Sequence, residues 1–450
     1  MSDEKSGIGD WNDLGEIVDS AVAEDPICPG CLGRLVADRS FGLQNWERGT
    51  ALRTARALVA DEPVDPPDPA DCWVCEGHSS SVDTWAELVT DALDGLTFRT
   101  YQVGCRVPPI LEENDRLLRE LVGLAGDAGE PINRQLNREV GKLVGQETGA
   151  TVDFDRPDVV ALLELEREHV EVIVNPAFVY GRYRKLERDI PQTEWPCTDC
   201  GGSGRELGPK GERGCQGCDG TGYRYDRSVE QLTVPHVVEA MAGDEGLFHG
   251  AGREDVDARM LGNGRPFVIE VKEPRNRYPD PSEIEATINE CSAGSVEVDG
   301  MTLCTHRLVE RVKELEADKS YRLELTFEQP VSTEAFQTAV RTLEGATIEQ
   351  RTPHRVDHRR ADRTRTRTVH EANGELTGER AATLDIRGEG GLYVKELAHG
   401  DDGRTEPSLA GQLGIQVTVD SLDVLSVTGS EPFAPEVERI EPRPSLSTGS

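Results

Sequence analysis

Apolar and polar residues alternate along Phe267-Val-Ile-Glu-Val-Lys272, which predicts a half-buried strand. The same period marks Val170-Glu-Val-Ile-Val174, residues 97–103 and Lys319-Ser-Tyr-Arg-Leu-Glu-Leu-Thr-Phe327, with a shorter strand at Val152-Asp-Phe154. Helical spacing of apolar positions runs through residues 46–60, 82–93, 114–124, 132–145, 283–291 and 307–313. Residues 158–165 fit a short helix or a strand connection, and 415–427 read as a last pair of strands. The mixture predicts an α/β protein of the α+β kind, and 450 residues suffice for two or three domains.

One stretch follows neither period. Residues 249–267, HGAGREDVDARMLGNGRPF, combine glycine, charge and small side chains in front of the clearest strand. Gly250, Gly252, Gly262 and Gly264 permit tight or left-handed backbone. Between them lie Asp255 and Asp257, flanked by Arg253, Arg259 and Arg265. A carboxylate on a glycine-rich loop beside a sheet suits catalysis, and an adjacent arginine such as Arg253 favours its charged form. A surface turn whose aspartates and arginines pair with one another has the same composition. Gly252-Arg253-Glu254-Asp255 resembles the Gly-Arg-x-Asp signature around the nucleophile of pseudouridine synthases. The longer run from Gly252 to Phe267 is similar, over sixteen residues, to the archaeal tRNA pseudouridine synthase family that acts on uridines 54 and 55 of the TΨC arm. The resemblance implies that Asp255 is the nucleophile and Asp257 a neighbour, with Arg253 part of the substrate-binding set.

The cysteines form two quartets. Cys28-Pro-Gly-Cys31 and Cys72-Trp-Val-Cys75 are separated by forty residues; Cys197-Thr-Asp-Cys200 and Cys215-Gln-Gly-Cys218 are separated by fourteen. Two residues between cysteines let both thiolates face one ion, and two such pairs complete a tetrahedral zinc site. In a chain of intracellular character, eleven cysteines point to structural zinc before disulfides. The second quartet, each half written CxxCxGxG, resembles the zinc knuckles of DnaJ chaperones, but the chain has no J-domain-like His-Pro-Asp. Cys105, Cys291 and Cys304 are left over and read as packed thiols.

Charge bears on the partner. The formal net charge is -35, and only eight of the 49 basic residues are lysine. Acid spread along the whole chain suits solubility in a salt-rich cytoplasm, where charges are screened within a few ångströms. Nucleic-acid binding then has to rest on local arginine patches. Arg182, Arg184, Lys185 and Arg188 interleave with Tyr180 and Tyr183, and this region resembles the THUMP-type RNA-binding domain of the same family. Residues 351–370 hold seven arginines and three histidines against two aspartates. Arg363, Arg365 and Arg367 alternate there, as on one face of a strand meeting phosphates. The resemblance also implies that Tyr321, in a Lys-x-Tyr-Arg setting, and Tyr393 contact the substrate, and that Arg404, in Gly-Arg-Thr, pairs with the nucleophilic aspartate.

The resulting expectation is a zinc-containing THUMP-type RNA-binding domain over residues 1–190, a zinc-knuckle linker over 191–226, and a pseudouridine synthase catalytic domain with a largely antiparallel sheet over 227–430. A disordered tail over 431–450 is rich in Pro, Glu and Ser. The polar, acidic start and the lack of a membrane-length apolar run predict a cytoplasmic monomer with no membrane contact. The expected partner is tRNA, and no organic cofactor is needed. The alternative is a non-catalytic zinc and THUMP-type RNA-binding or chaperone-like module.

Overall fold

The alternation at residues 97–103 becomes strand β1 (Thr100–Arg106) in the computed structural model, which describes residues 11–23, 26–208, 211–356, 361–429 and 440. The chain divides into two units, Met1–Asn175 and Pro176–Ser450. In the first, β1 pairs in parallel with β2 (Thr151–Val152) and β3 (Val159–Glu164), and β3 pairs antiparallel with β4 (His169–Val174). Val159, Ala161 and Leu163 alternate inward, which settles residues 158–165 as a strand. Helices Val82–Ala92, Pro109–Leu121 and Ile132–Thr148 bring Trp85, Leu118 and Val140 into one core with Tyr101 and Val103 of the sheet. Ahead of them, Pro29–Arg34 packs on the helix Asn45–Ala60 so closely that a Cβ on Gly33 would lie 1.7 Å from the Asn45 carbonyl oxygen.

The boundary between the units falls after Asn175 rather than at residue 190 because β5 (Ala177–Lys185) hydrogen-bonds into the second sheet. A hairpin of β6 (Arg205–Gly208) and β7 (Gly211–Gly214) separates the two knuckles of the second cysteine quartet. The main sheet comprises β5, β8 (Glu245–Gly250), β9 (Arg259–Lys272), β10 (Val296–Cys304), β11 (Ala317–Phe327), β12 (Thr347–Arg351), β13 (Thr364–Gly378), β14 (Ala381–Gly388), β15 (Thr405–Glu406) and β16 (Val417–Gly429). Its order is β10-β5-β9-β16-β11-β14-β13-β12-β15, with β8 also on β9. Only the β9–β16 pair is parallel among these described strands, so the sheet is largely antiparallel.

Two expectations change here. Residues 415–427 give one long strand, β16, not a pair. The glycine-rich stretch is not all loop either: β9 already begins at Arg259 and carries Gly262 and Gly264. β5 is covered on both faces. Val179 and Tyr183 join a core with Ile269 and with Val237, Ile284 and Ile288 of helices Val229–Ala240 and Pro281–Cys291. Phe178 and Tyr180 pack instead against Leu308 and Val312 of helix Arg307–Lys313. The interleaved tyrosines of this strand are therefore interior. Cys304 is buried as expected, whereas Cys291 is exposed. The expected disordered tail, 431–450, lies outside the described residues except for Ile440, whose amide donates to the Leu303 carbonyl at 2.9 Å. No helix among the described residues is long and apolar enough to cross a membrane.

Both cysteine quartets converge, with all four sulfurs of each within 4.8 Å of one another. Sulfur separations are 3.7 Å for Cys28–Cys75 and Cys31–Cys72, 4.0 Å for Cys197–Cys215 and 3.8 Å for Cys200–Cys218. A tetrahedral zinc with sulfurs at about 2.3 Å spaces its ligands roughly 3.8 Å apart, so both quartets fit that ion. The buried Arg34 guanidinium donates to Cys31 Sγ at 3.1 Å and pairs with Asp115 at 2.7 Å, which sets a fixed positive charge against the thiolates. Elemental analysis of the folded protein is expected to find about two zinc ions per chain, because closing such sites is coupled to folding. Cys215→Ser is expected to lose about one of them, and less than one zinc in the folded parent would contradict this reading.

Candidate active site

The loop of residues 251–258 connects β8 to β9 and carries both candidate aspartates. Its backbone is held from below by buried polar groups. The Glu254 side chain is fully buried and meets Arg265 Nε of β9 at 2.8 Å. The Tyr183 hydroxyl of β5 lies 2.8 and 3.0 Å from the two Glu254 oxygens. Gln192 donates to the Tyr183 hydroxyl at 2.8 Å and to the Gly252 carbonyl at 3.0 Å, and Arg265 donates to the Ala251 carbonyl at 2.7 Å. Burial, and then the Glu254 charge, push the Tyr183 phenol well above its ordinary value, so it stays protonated and donates. Lys185 spends its three N–H groups on the carbonyls of Ile190 (2.7 Å), Asp255 (3.2 Å) and Val256 (3.0 Å). Arg188 holds the far end through the carbonyls of Asp257 and Leu422 at 2.9 and 2.8 Å. Where β9 leaves the loop, Gly262 has φ +55°, and a Cβ there would fall 1.9 Å from the Leu425 carbonyl oxygen, which restricts the position to glycine.

With its backbone fixed, the half-buried Asp255 side chain points at two cations. Arg355 Nη1 lies 3.2 Å from both carboxylate oxygens and Lys395 Nζ lies 3.3 Å away. Burial pushes the carboxyl up, but Arg355 and then Lys395 outweigh it and hold the group below the usual carboxylate range. Both cations are themselves anchored: Arg355 Nε by the buried Glu396 at 2.6 Å, and Lys395 by Asp257 at 2.8 Å. Lys395 and Glu396 come from the first turn of helix Val394–His399, and Arg355 from the single turn His354–Val356. Asp257 lies more in solvent than Asp255, with side-chain exposures of 62% and 37%.

Asp255 opens into a cleft of about 270 Å³ whose lining includes Arg253, Lys319, Tyr321, Arg355, Tyr393 and Lys395. Tyr321 is buried in the alternation of β11, and burial raises its phenol to about 12. Tyr393 is fixed through its backbone, giving its amide to Gln350 Oε1 at 2.8 Å and accepting from Gln350 Nε2 at 2.9 Å. Arg253 leaves Asp255 to Arg355 and lies over the Trp195 ring, 4.8 Å from its centroid. Trp195 stands two residues before Cys197, so the second cysteine quartet reaches the loop of Asp255 through this stack.

The geometry corrects several expectations. The arginine that pairs with Asp255 is Arg355, not Arg404. Arg404 acts one step back, donating to the Thr352 carbonyl at 3.0 Å and lying 3.1 Å from the His354 ring, so it secures the turn that presents Arg355. Arg182 and Arg184 belong to the second unit and face inward contacts. Arg182 donates to the carbonyls of Asn263, Gly264 and Val427 at 2.5, 2.9 and 3.1 Å, and Arg184 pairs with Glu297 and Asp299. Arg184 is neutralised by its two acids, Arg182 is engaged by carbonyls, and both hold β5 to its neighbours. In the arginine run, residues 357–360 lie outside the described residues. Arg363 is exposed just before β13; Arg365 lies over the Tyr393 ring at 5.8 Å; Arg367 donates to the Gly390 carbonyl at 2.7 Å. Only part of that alternation is open to phosphates, and the rest supports the rim of the cleft. Arg355, Lys395, Glu396 and the Glu254–Arg265 pair were not singled out from sequence, and Lys185, read there as part of an RNA-binding patch, holds loop carbonyls instead. Glu254 and Arg265 lie inside the sixteen-residue match, but nothing in their spacing says that they meet.

Removing Arg355 takes away the largest influence that offsets the burial of Asp255. A carboxylate with a depressed pKa stays charged as pH falls and is lost only below its folded pKa, so raising that pKa moves the loss upward. In Arg355→Ala the acidic limb of any Asp255-dependent reaction is expected to move to higher pH, with Lys395 still in place to limit the movement. A pH–rate profile of the variant against the parent measures this, and an unmoved limb would contradict the assignment.

The family described as "Pus10, C-terminal" matches residues 178–428, and that described as "Pus10 THUMP domain, archaeal" matches residues 85–164. The chain is 56% identical over 425 residues to the tRNA pseudouridine synthase Pus10 of Halorubrum lacusprofundi, covering 94% of this chain and 99% of that one. It is 40% identical over 429 residues to the protein of the same name from Methanothrix thermoacetophila (90% and 92% covered) and 37% identical over 406 residues to that from Pyrococcus furiosus (90% and 96% covered). The match therefore spans both units, with the loop of Asp255 inside the C-terminal one, and the chain belongs to the Pus10 family.

Proposed function

We propose that this protein isomerises uridine to pseudouridine in tRNA, at positions 54 and 55 of the TΨC arm, with Asp255 as nucleophile. The observation that carries the reading is a carboxylate kept charged by Arg355 and Lys395 in a cleft that also holds Tyr321. The relatives' shared name supplies tRNA as the substrate class. The target base has to leave its stack to reach such a cleft, and a mostly buried tyrosine on a rigid strand offers it a new one. A carboxylate oxygen then bonds to C1′ of the ribose or to C6 of the uracil. The N1–C1′ bond breaks, the base turns, and C5 bonds to C1′. The C5 proton leaves, N1 gains a proton and the carboxylate is released. Substrate and product have the same atoms, so the step needs no oxidant, reductant or energy source. Zinc in both quartets has a structural role, and the enzyme works as a cytoplasmic monomer.

Asp255→Asn is nearly isosteric and cannot act as the nucleophile. It is expected to abolish pseudouridine formation on unmodified tRNA while leaving tRNA affinity within a few-fold of the parent. Asp257→Asn removes the same charge from the loop and is expected to keep measurable turnover. Nucleoside analysis after incubation reads both; retained activity in the first variant, or loss in the second alone, would place the chemistry elsewhere.

Phosphate contact rests on the exposed part of the arginine run. Arg363→Ala combined with Arg365→Ala is expected to weaken tRNA binding and to lower the slope of log affinity against log salt by about one to two, as fewer counterions are released. Binding titrations over a range of salt would test this, and an unchanged affinity and slope would make the run a solvated strand edge.

A further inference from the structure

One cation in the cleft has no part in the reaction as described. Lys319 stands two residues before Tyr321 on β11, so both side chains leave the same face of the strand. Both line the cleft with Asp255. The other cations there are engaged: Arg355 and Lys395 by Asp255, Arg265 by Glu254, and Arg253 over Trp195. The Lys319 backbone pairs with β14 and β16, but its ammonium has no hydrogen bond or ion pair among the described residues. Its ammonium lies against the catalytic loop, since a Cβ on Gly252 would be 3.6 Å from Lys319 Nζ and 3.3 Å from Arg265 Nη1. Glu254 is the nearby acid, but its oxygens already serve Arg265 and Tyr183. Burial first, and then Arg265, push the Lys319 ammonium down to about 8, with Glu254 acting in the opposite direction. A largely desolvated charge without a partner is unfavourable, and an incoming anion relieves that cost. An ammonium is a compact point charge, suited to a single oxygen rather than to the planar fork that a guanidinium recognises.

Resting on the reading of Asp255 as nucleophile, we propose that Lys319 contacts an anionic oxygen of the target nucleotide. Two oxygens have the required charge. When the N1–C1′ bond opens, its electron pair stays with the uracil and is shared with O2 and O4, until C5 bonds to C1′ and the C5 proton leaves. The second source is a non-bridging oxygen of an adjoining phosphodiester. The position beside Tyr321, the expected stacking partner of the base, puts the uracil oxygen first. Lys319 donates a hydrogen bond and takes no electrons in either case.

The test compares Lys319→Met, which keeps the apolar stem, and Lys319→Arg, which keeps the charge, with the parent on an unmodified tRNA transcript. Single-turnover pseudouridine formation, tRNA affinity at several salt concentrations and thermal midpoint are measured for each. Contact with the uracil oxygen predicts a loss of about a hundredfold in the single-turnover rate of Lys319→Met, with affinity and salt slope unchanged and partial recovery in Lys319→Arg. Contact with a phosphate predicts weaker binding and a salt slope lower by about one, with the saturated rate retained. Rate, affinity and slope all within twofold of the parent overturn the proposal. So does an equal loss in both variants accompanied by a lower thermal midpoint, which marks a packing role. A parent that forms no pseudouridine fails the underlying reading instead, and the binding measurements still decide whether Lys319 meets a phosphate.

Discussion

The site depends on the buried ion pair between Glu254 and Arg265. Glu254 is adjacent to Asp255, and a loop of two or three free residues would let the Asp255 carboxylate wander away from Arg355 and Lys395. Glu254 is turned into the interior while Asp255 beside it faces the cleft, so anchoring the first limits where the second can point. The pair is acceptable there only because its remaining donors and acceptors are used: Tyr183 and Gln192 on one side, the Ala251 carbonyl on the other. Removing one partner from a buried pair of this kind costs about 3–5 kcal/mol, far more than an exposed pair contributes. This loop therefore keeps its shape by satisfaction of buried charge, with little apolar burial of its own.

The same constraint explains why so many cations of an acidic chain lie near one carboxylate. Lys185, Arg188 and Arg265 hold backbone carbonyls, while Arg355 and Lys395 hold the Asp255 side chain. Each of the latter two is shared with a second acid, Glu396 or Asp257. Shared partners leave Asp255 charged without closing it into a tight bidentate pair. In high salt, where exposed charges are screened, partly buried contacts of this kind keep their strength.

The second cysteine quartet has a path to this chemistry. Trp195 precedes Cys197 closely, Arg224 donates its backbone amide to the Trp195 carbonyl at 2.9 Å, and the Arg224 and Arg253 guanidiniums lie 5.6 and 4.8 Å from the Trp195 ring. A metal that orders the knuckles also orders the ring on which a cleft-lining arginine rests. Arg404 and Tyr393 show the same indirect logic, one securing the Arg355 turn and the other held by Gln350 through its backbone.

Local pattern was enough for what local physics decides. Alternation in β11, helical spacing in residues 132–145 and 283–291, and the CxxC spacing of both quartets each follow from which side chains share a face within a few residues; the strand expected at residues 267–272 is present too, but Phe267, Val268 and Ile269 are buried on both of its faces rather than half-buried. The loop and its aspartate were marked differently, by the resemblance of the run from Gly252 to Phe267 to a known family, since composition alone fitted a surface turn equally well. What the sequence could not reveal is which charges meet across the fold. The run at Arg182, Arg184, Lys185 and Arg188 has the composition of an RNA-binding edge, yet pairing with β9 and β10 turns it into the support of the Asp255 loop. Arg355, one hundred positions from Asp255, reaches it only because β12, β13 and helix Val394–His399 come together. Spacing along a chain sets the face a residue occupies; the partner that face meets depends on strand order and register, and those are settled by the packing of the whole sheet.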